Sequence, residues 1–580
     1  MSKKRIAVIE YDKCNFEKCG NYLCSKVCPV NRNEKECITH KQGEKPIISE
    51  ELCIGCEICQ NRCPFHAISI VNISIDLKDP VHSYGQNAFR LFGLPVPKKG
   101  TIGLVGRNGI GKTTIIKILS GDIIQNFGED EGKKERVLEY YKGREEQEFF
   151  KQLYSGFKVA VKPQHIEGLN TKGKVVTLLK KVDEENRLKE VTSELALENL
   201  LDKDISKLSG GEFQKIAIAA TGLKKADLYF FDEPTSFLDI RERLRVAKFI
   251  RKISETKPVL VVEHDLILLD YLSDYIHLIY GKPRVYGFVS QIKTTKEGIN
   301  DYLEGYSREE NYRFRESTID FFSGNRNETS KGKTIISWPH IEKKLGTFKL
   351  KVKENEIKQN QIVGIVGPNG IGKTTFMKLL AKEIKPDNCE LEQSAKISYK
   401  PQYISYDGNK TVEELFDDTH LKEFKKSFVK SLELQDLMGK KAKTLSGGEL
   451  QRVAIALCLS KKADIYLLDE PSAYLDVEQR LAIGKVIRNH IVLNDCSAMI
   501  IDHDLTFVDY VSDKLMVFKG DPSIKGEASG PFTVEKGMNE LLEYLEITVR
   551  RDPQTKRPRI NKFDSVLDKE QKQKKSYYSN

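Results

Sequence analysis

The stretch GRNGIGKTT at residues 106–114 decides the fold, and it occurs twice, returning as GPNGIGKTT at residues 367–375. Each copy follows a short apolar run, Ile102–Val105 or Ile362–Val366, and opens into a helical pattern. That is the strand, glycine loop and helix of a phosphate-binding P-loop in an α/β domain. Its glycines let backbone N–H groups turn toward phosphate oxygens, and the following helix presents its positive end. The loops nominate Gly106, Asn108, Gly109, Gly111, Lys112, Thr113 and Thr114 as nucleotide-binding, with Gly367, Asn369, Gly370, Gly372, Lys373, Thr374 and Thr375 in the second copy. Lys112 and Lys373 are expected to reach the β- and γ-phosphates, and Thr113 and Thr374 to hold Mg²⁺.

Further segments repeat with the loops. LSGGE stands at 208–212 and again at 445–449, which nominates Ser209, Gly210, Gly211, Ser446, Gly447 and Gly448. Apolar strands Leu228–Phe231 and Ile465–Leu468 end in Asp232-Glu233-Pro234 and Asp469-Glu470-Pro471. A third strand in each copy leads into His264 or His503. Asp232 and Asp469 are placed to support Mg²⁺, and Glu233 and Glu470 to polarise the attacking water. A lone histidine is usually a satisfied core residue. Equivalent places in two copies favour contact with the γ-phosphate instead. Gln164 and Gln402 are read as sensors of Mg²⁺ and water.

The spacings locate one difference. Ser209 to Asp232 and Ser446 to Asp469 each span 23 positions, whereas Lys112 to Gln164 spans 52 and Lys373 to Gln402 only 29. The first copy therefore carries about 23 extra residues, near 131–155. They read as helix–turn–helix: Val137, Leu138 and Tyr141 share a face, Gly143 breaks it, and Phe149, Phe150 and Leu153 resume it. The outer faces carry Lys133, Lys134, Arg136, Lys142, Arg144 and Lys151, suited to RNA phosphates, with Glu145, Glu146 and Glu148 opposing that charge.

P-loop, LSGGE, acidic pair and trailing histidine together resemble the ATP-binding-cassette family. The resemblance implies two cassettes facing head to tail with ATP between them, Lys112 working with Ser446 and Lys373 with Ser209. It makes Ser236–Asp239 and Ala473–Asp476 the loops that cross the interface.

Of the twelve cysteines, nine lie at or before Cys63. Cys53-x2-Cys56-x2-Cys59-x3-Cys63-Pro64 has the bacterial ferredoxin spacing, in which the fourth cysteine serves the other cluster. The partner run is Cys14-x4-Cys19-x4-Cys24-x3-Cys28-Pro29. One [4Fe–4S] cluster is thus assigned to Cys28, Cys53, Cys56 and Cys59, the other to Cys14, Cys19, Cys24 and Cys63. Cys37 is read as a bystander. Zinc would use C-x2-C pairs, which leaves two runs of four cysteines ending in proline unexplained. Disulfides do not suit a chain whose N-terminus has no apolar signal segment.

The whole chain has 580 residues and a formal net charge of +10, a modest basic excess that reads first as simple solubility and only second as a sign of an RNA partner. Apolar runs such as Pro258–Val262 are far shorter than the roughly 20 residues of a membrane span, so a cytoplasmic location is expected. A two-cluster ferredoxin-like domain joined to twin cassettes resembles the RNase L inhibitor family of ribosome-recycling ATPases. The likeness includes NYRFR at 311–315 and ITVRRDPQTKRPRIN at 547–561, which match hinge segments. The organisation is then a ferredoxin-like domain at 1–73, a first cassette at 74–300, a hinge at 301–330, a second cassette at 331–541, and a second hinge with a polar tail at 542–580. The tail from Leu567 is expected to be disordered.

The resemblance implies a monomer that splits ribosomes into subunits after termination or stalling. Its implied partners are the small subunit, through ribosomal RNA and protein, a peptide-release factor or its stalled-ribosome relative, and initiation factors. The clusters are then structural. Adenine is expected on Tyr84 and on Phe348. Two other classes stay open, the ATPase subunit of a membrane transporter and an ATP-coupled redox protein. Co-purification with ribosomal subunits or with membranes, and a cluster potential coupled to turnover, discriminate them.

The cysteine runs predict about eight irons per chain, measured anaerobically as iron and sulfide. Cys37→Ser should keep both clusters and Cys56→Ser should lose one. Stoichiometric zinc in active protein would overturn the assignment.

Overall fold

The computed structural model describes residues 4–579 apart from 74–78, 165–172, 320, 322–331, 392–394, 403, 405, 407 and 417–427. Each cassette is built on a sheet with the same strand order. In the first it runs His82–Ser83, Arg90–Phe92, Tyr286–Val289, Tyr275–Lys282, Thr101–Gly106, Val259–Val262, Leu228–Asp232 and Val159–Lys162. In the second it runs Ile341–Leu345, Phe348–Val352, Lys525–Thr533, Lys514–Asp521, Ile362–Val366, Ser497–Ile501, Ile465–Asp469 and Ile397–Lys400. The P-loop strand pairs in parallel with the histidine strand, which pairs in parallel with the acidic-pair strand.

These strands are apolar throughout because helices cover both faces. Phe230 and Phe231 are both fully buried but point into different clusters, one with Leu104 and Leu260, the other with Val261 and Leu268. Each such burial stabilises the fold by about 2–3 kcal/mol. The sheet thus fixes the strand ends, and phosphate-binding, acidic and histidine segments leave it side by side at the carboxyl edge.

The inserted segment forms two helices, Lys134–Tyr140 and Glu145–Tyr154. Val137, Tyr141, Phe149 and Phe150 pack against Ile116 and Leu119 of the P-loop helix. All six basic side chains named above are exposed.

The N-terminal domain pairs Lys4–Ile9 with Ile68–Ile73 antiparallel, and Ile38–Thr39 with Ile47–Ile48. It docks on the first cassette. Ile6 and Val8 pack on Phe92, Val285 and Tyr286. Asn87 donates to Ala7 O at 2.9 Å and Ile48 O at 3.0 Å, and Arg90 pairs with Glu50 at 2.8 Å. Of the first hinge, Tyr306–Ser307 and Tyr312–Arg313 form a short ladder, and Arg315 pairs with Glu478 of the second cassette at 3.0 Å. Much of the rest of that hinge lies outside the described residues. Among the described residues no helix is long and apolar enough to cross a membrane.

The expected disordered tail is corrected. Residues Val566–Gln573 are helical, with Ser565 accepting from Asp568 N, and Tyr578–Ser579 adds a parallel strand beside Val549–Arg551. Composition misleads here because one buried contact holds the end. The Tyr578 hydroxyl donates to Asp509 at 2.9 Å, and Arg551 pairs with the same carboxylate at 2.7 Å. Tyr578→Ala should therefore free the tail. Limited trypsin treatment is expected to cut the variant at Lys574 and Lys575 well before the parent; equal rates would mean that the contact does not hold the end.

Candidate functional site

Gly111 and Gly372 stand at the N-caps of the P-loop helices Lys112–Leu119 and Lys373–Leu380, with φ of 109° and 97° and no side-chain cap. The helix N–H groups are thus left for a ligand. A Cβ on Gly111 would meet Phe89 at 2.7 Å, so the loop has no room for a larger residue. The lysines are folded into their own loops. Lys112 Nζ donates to Gly106 O at 2.7 Å and Arg107 O at 3.0 Å, and Lys373 Nζ to Gly367 O at 2.8 Å and Pro368 O at 2.6 Å. Burial pushes both ammonium groups down, Lys373 to about 8.

Next to each loop the acids and histidine converge. Gln164 Nε2 donates to Glu233 Oε1 at 2.6 Å and Gln402 Nε2 to Glu470 Oε1 at 2.8 Å. His264 Nε2 lies 3.4 Å from Glu233 Oε1, as His503 Nε2 does from Glu470 Oε1. Both glutamates are buried, which raises a carboxyl, yet neighbouring positive groups hold each near 2. At Glu233 the hydrogen bond from His264 leads the depression, and Lys112 and Lys162 add positive charge. Burial and Lys112 push His264 itself down, so its imidazole is neutral near pH 7 and adds no charge. The acid before each histidine is anchored to the segment after the acidic pair: Thr235 donates to Glu263, and Ser472 Oγ to Asp502 at 2.7 Å.

Asp232 and Asp469 behave oppositely. Burial, reinforced by the adjacent glutamate, pushes Asp232 up to about 7 and Asp469 to about 6. Thr374 Oγ1 donates to Asp469 Oδ2 at 2.8 Å while the buried Asp469 Oδ1 has no partner. A carboxylate oxygen left free beside a P-loop threonine fits the Mg²⁺ of a nucleotide complex.

The opposite face of each site comes from the other copy. Asp476 Oδ2 accepts from Asn108 N at 3.1 Å, and Asp239 Oδ2 from Asn369 N at 2.8 Å. Ser209 and Ser446 cap the helices Gly210–Leu223 and Gly447–Ser460, each in a capping box with the glutamate three residues on. These serines reach the interface beside the crossing loops. A Cβ on Gly211 would meet Phe237 O at 3.0 Å, and one on Gly448 would meet Tyr474 O at 2.8 Å.

The two adenine candidates are not equivalent. Leu91 pairs with Gly287 as Leu350 pairs with Gly526, so Phe348 corresponds to Phe89, and each ring lies against its P-loop glycine. Tyr84 corresponds to Leu345; it is half-exposed, and its hydroxyl is 3.1 Å from Thr114 Oγ1. Sequence similarity could not align these short edge strands; only their pairing does.

In the N-terminal domain Cys28, Cys53, Cys56 and Cys59 line one small cavity with Ile38, Ile48, Ile54 and Ile70. Cys14, Cys19, Cys24 and Cys63 form a second group; burial raises the Cys24 thiol to about 11, and its three companions push the same way. Cys37 is buried beside Cys28 and Cys53 at the first cavity. Among the described residues no three ligand side chains close on a single ion. An iron–sulfur cube asks instead for four thiols spread around a void, which the Cys28, Cys53, Cys56 and Cys59 set provides, while the second set brings four thiols together.

Two features escaped the sequence reading. Arg284 joins three parts: its N–H donates to Gly109 O at 2.8 Å, Nη1 pairs with Glu10 of the N-terminal domain at 3.1 Å, and Nη2 with Glu449 of the second LSGGE at 3.1 Å. Lys162 and Lys400, each two residues before its glutamine, are buried behind the acidic pairs. The repeated Lys-Pro-Gln was a readable signal for the second; nothing in the sequence pointed to the first.

Comparison with known proteins agrees with this anatomy. The description "ABC transporter" matches residues 91–236 and 350–473. "4Fe-4S binding domain" matches 46–69, and "Possible Fer4-like domain in RNase L inhibitor, RLI" matches 5–36. Translation initiation factor RLI1 of Saccharomyces cerevisiae is 43% identical over 596 residues, 99% of this chain and 98% of its own length. The chain belongs to the RNase L inhibitor family. A solved archaeal relative, ABCE1 in a ribosome-bound assembly with Pelota, superposes with a TM-score of 0.95 at 50% identity and covers 99% of both chains. A second, the archaeal ribosome recycling factor aABCE1 in complex with stalk protein aP1, gives 0.81 at 49% identity, over 86% of this chain and 99% of its own. As members of this family do, the chain combines ATP-binding cassettes with an iron–sulfur domain.

Where Asp232 and Asp469 support the Mg²⁺ of a nucleotide, as the free carboxylate oxygen suggests, protons would compete with the ion for them. A raised carboxyl pKa means that the proton binds more tightly, so ion affinity falls as pH drops. Mg²⁺-dependent ATP affinity should be level above about pH 8 and weaken by up to about tenfold per pH unit below about pH 6, first at the Asp232 site. Titration calorimetry across pH checks it, and a flat profile would remove the competition.

Proposed function

We propose that this protein is an ATP-hydrolysing factor that splits ribosomes into subunits after termination or stalling. The observation that carries the reading is the Arg284 junction. One guanidinium bonds the iron–sulfur domain and the second LSGGE segment, and its own backbone bonds the first P-loop. A change in how the cassettes meet around ATP must therefore be felt by the iron–sulfur domain. Likeness to a ribosome-bound relative supports the ribosome as the object of that coupling.

In each site the P-loop lysine turns from its loop carbonyls to the β- and γ-phosphates. Thr113, Asp232 and Gln164, or Thr374, Asp469 and Gln402, would hold Mg²⁺, which would neutralise charge on those phosphates. Glu233 or Glu470, ionised at neutral pH, accepts a hydrogen bond from water and takes its proton. The water oxygen attacks the γ-phosphorus, and the bond to the β–γ bridging oxygen breaks to give ADP and phosphate. Neutral His264 donates to a γ-oxygen, with His503 as its counterpart. Ser446 closes the first site and Ser209 the second, from the opposing helix N-termini. ATP favours the closed arrangement only because it touches both copies.

Cys14, Cys19, Cys24 and Cys63 would hold one [4Fe–4S] cluster and Cys28, Cys53, Cys56 and Cys59 a second, which would keep the N-terminal domain rigid. The small ribosomal subunit is met by the exposed basic face of the inserted helices. The release factor or its stalled-ribosome homologue meets the iron–sulfur domain. The chain acts as a monomer in the cytoplasm.

The Glu233→Gln, Glu470→Gln double variant should bind ATP normally, lose turnover and accumulate with nucleotide trapped, because the carboxylates act in the transition state. Sedimentation with assembled ribosomes, release factor and ATP should show subunits with the parent protein. Normal turnover in the double variant would overturn the assignment of the base; intact ribosomes with active parent would overturn the splitting activity.

A further inference from the structure

We propose that Lys162 and Lys400 are positioning residues for ATP hydrolysis, each fixing from behind the backbone that aims the water-polarising glutamate. The proposal rests on the hydrolytic reading above and adds to it two residues outside the P-loop, acidic-pair and histidine segments.

The two lysines are among the least exposed side chains in the protein, at 1% and 2%. Burying an ammonium is unfavourable unless strong acceptors meet it. Here the acceptors are main-chain oxygens of the two acids. Lys162 Nζ donates to Asp232 O at 2.8 Å and Glu233 O at 3.3 Å. Lys400 Nζ donates to Asp469 O at 2.6 Å and Glu470 O at 3.3 Å. Strand register explains the reach. Lys162 ends the edge strand opposite Phe231, and Lys400 lies opposite Leu468, so each amine extends one residue further along the neighbouring strand.

At the next residue again, the glutamate, the backbone is under strain. Glu233 and Glu470 both adopt φ of 47°, a left-handed conformation that a non-glycine residue holds only when its surroundings impose it. The cation spans the carbonyls on either side of the glutamate α-carbon and so fixes the backbone from which the glutamate side chain leaves. Satisfying a carbonyl alone would not require it, because Gln214 Nε2 already donates to Glu233 O at 2.7 Å and Gln451 serves Glu470 O. What the lysine adds is a second carbonyl gripped at once and a fixed positive charge behind the acidic pair. Both copies keep the arrangement although they differ in the insertion and in the residue after the first P-loop glycine.

The test uses the full-length protein with both clusters. Lys162→Met with Lys400→Met should lower kcat for ATP at least about tenfold and leave KM within about threefold, since a small misplacement of a catalytic group suffices for such a loss. Added to the Glu233→Gln, Glu470→Gln pair, the methionines should lower turnover by less than about twofold further, because the lysines act through those carboxylates. Should the methionine pair not bind ATP, the Lys162→Gln, Lys400→Gln pair is read by the same criteria. An unchanged kcat, a KM rising in step with the loss, a full additive loss in the quadruple variant, or failure of both pairs to bind ATP would overturn the proposal. If instead the glutamine substitutions at Glu233 and Glu470 leave turnover unchanged, the hydrolytic assignment itself fails.

Discussion

Two aspartates join the cassettes, and the rest of the molecule depends on them. Asp239 Oδ1 accepts from Glu242 N and caps its own helix, while Oδ2 accepts from Asn369 N of the other copy. Asp476 does the same with Gln479 N and Asn108 N. One carboxylate therefore links the start of a helix in one cassette to the P-loop of the other. A short buried side chain with two directed acceptors tolerates little change in distance, and the geometry is reciprocal. Head-to-tail pairing follows from it, because each P-loop must face the crossing loop of its partner. An ionised carboxylate out of water is stable only where such donors are provided, and backbone N–H groups supply them here.

Around that symmetric contact the two copies diverge, and each divergence lies on the first P-loop. Arg107 follows its first glycine and pairs with Glu433 at 3.0 Å and Glu478 at 3.5 Å of the second cassette, where the second loop has Pro368. Arg284 reaches the iron–sulfur domain, whereas the equivalent turn contact of the second cassette is made by Ser523 N to Gly370 O at 2.9 Å. The inserted helices also pack on the first P-loop helix. Among the described residues these particular links are made at the first nucleotide site, so the two need not open, close or turn over alike.

The second hinge makes a comparable link on the far side. Asp270 and Asp509 occupy equivalent places, six residues after His264 and His503. Arg559 pairs with Asp270 at 2.6 Å and Arg551 with Asp509 at 2.7 Å. The strap therefore reads the helix that follows each histidine. Its basic residues, which composition alone would leave to solvent, are drawn inward by two specific acids.

The amino-acid order by itself determined the repeat, the chemistry of each loop and the grouping of cysteines into two runs. These are local properties: a glycine loop before a helix, an acid at a strand end and thiols at fixed spacing declare themselves within a few residues. It determined the inserted helices too, because apolar residues at helical spacing must find a surface to cover. Only the tertiary structure decided which residues stand behind or across from those loops. Arg284 bridges partners far apart in the chain, Lys162 gains its role from a parallel register, and Phe348 finds its counterpart in Phe89 through strand pairing. Tyr578 orders a tail that looks polar and free. Each of these depends on long-range contacts, and a contact between distant positions leaves no periodicity or spacing for a linear reading to detect.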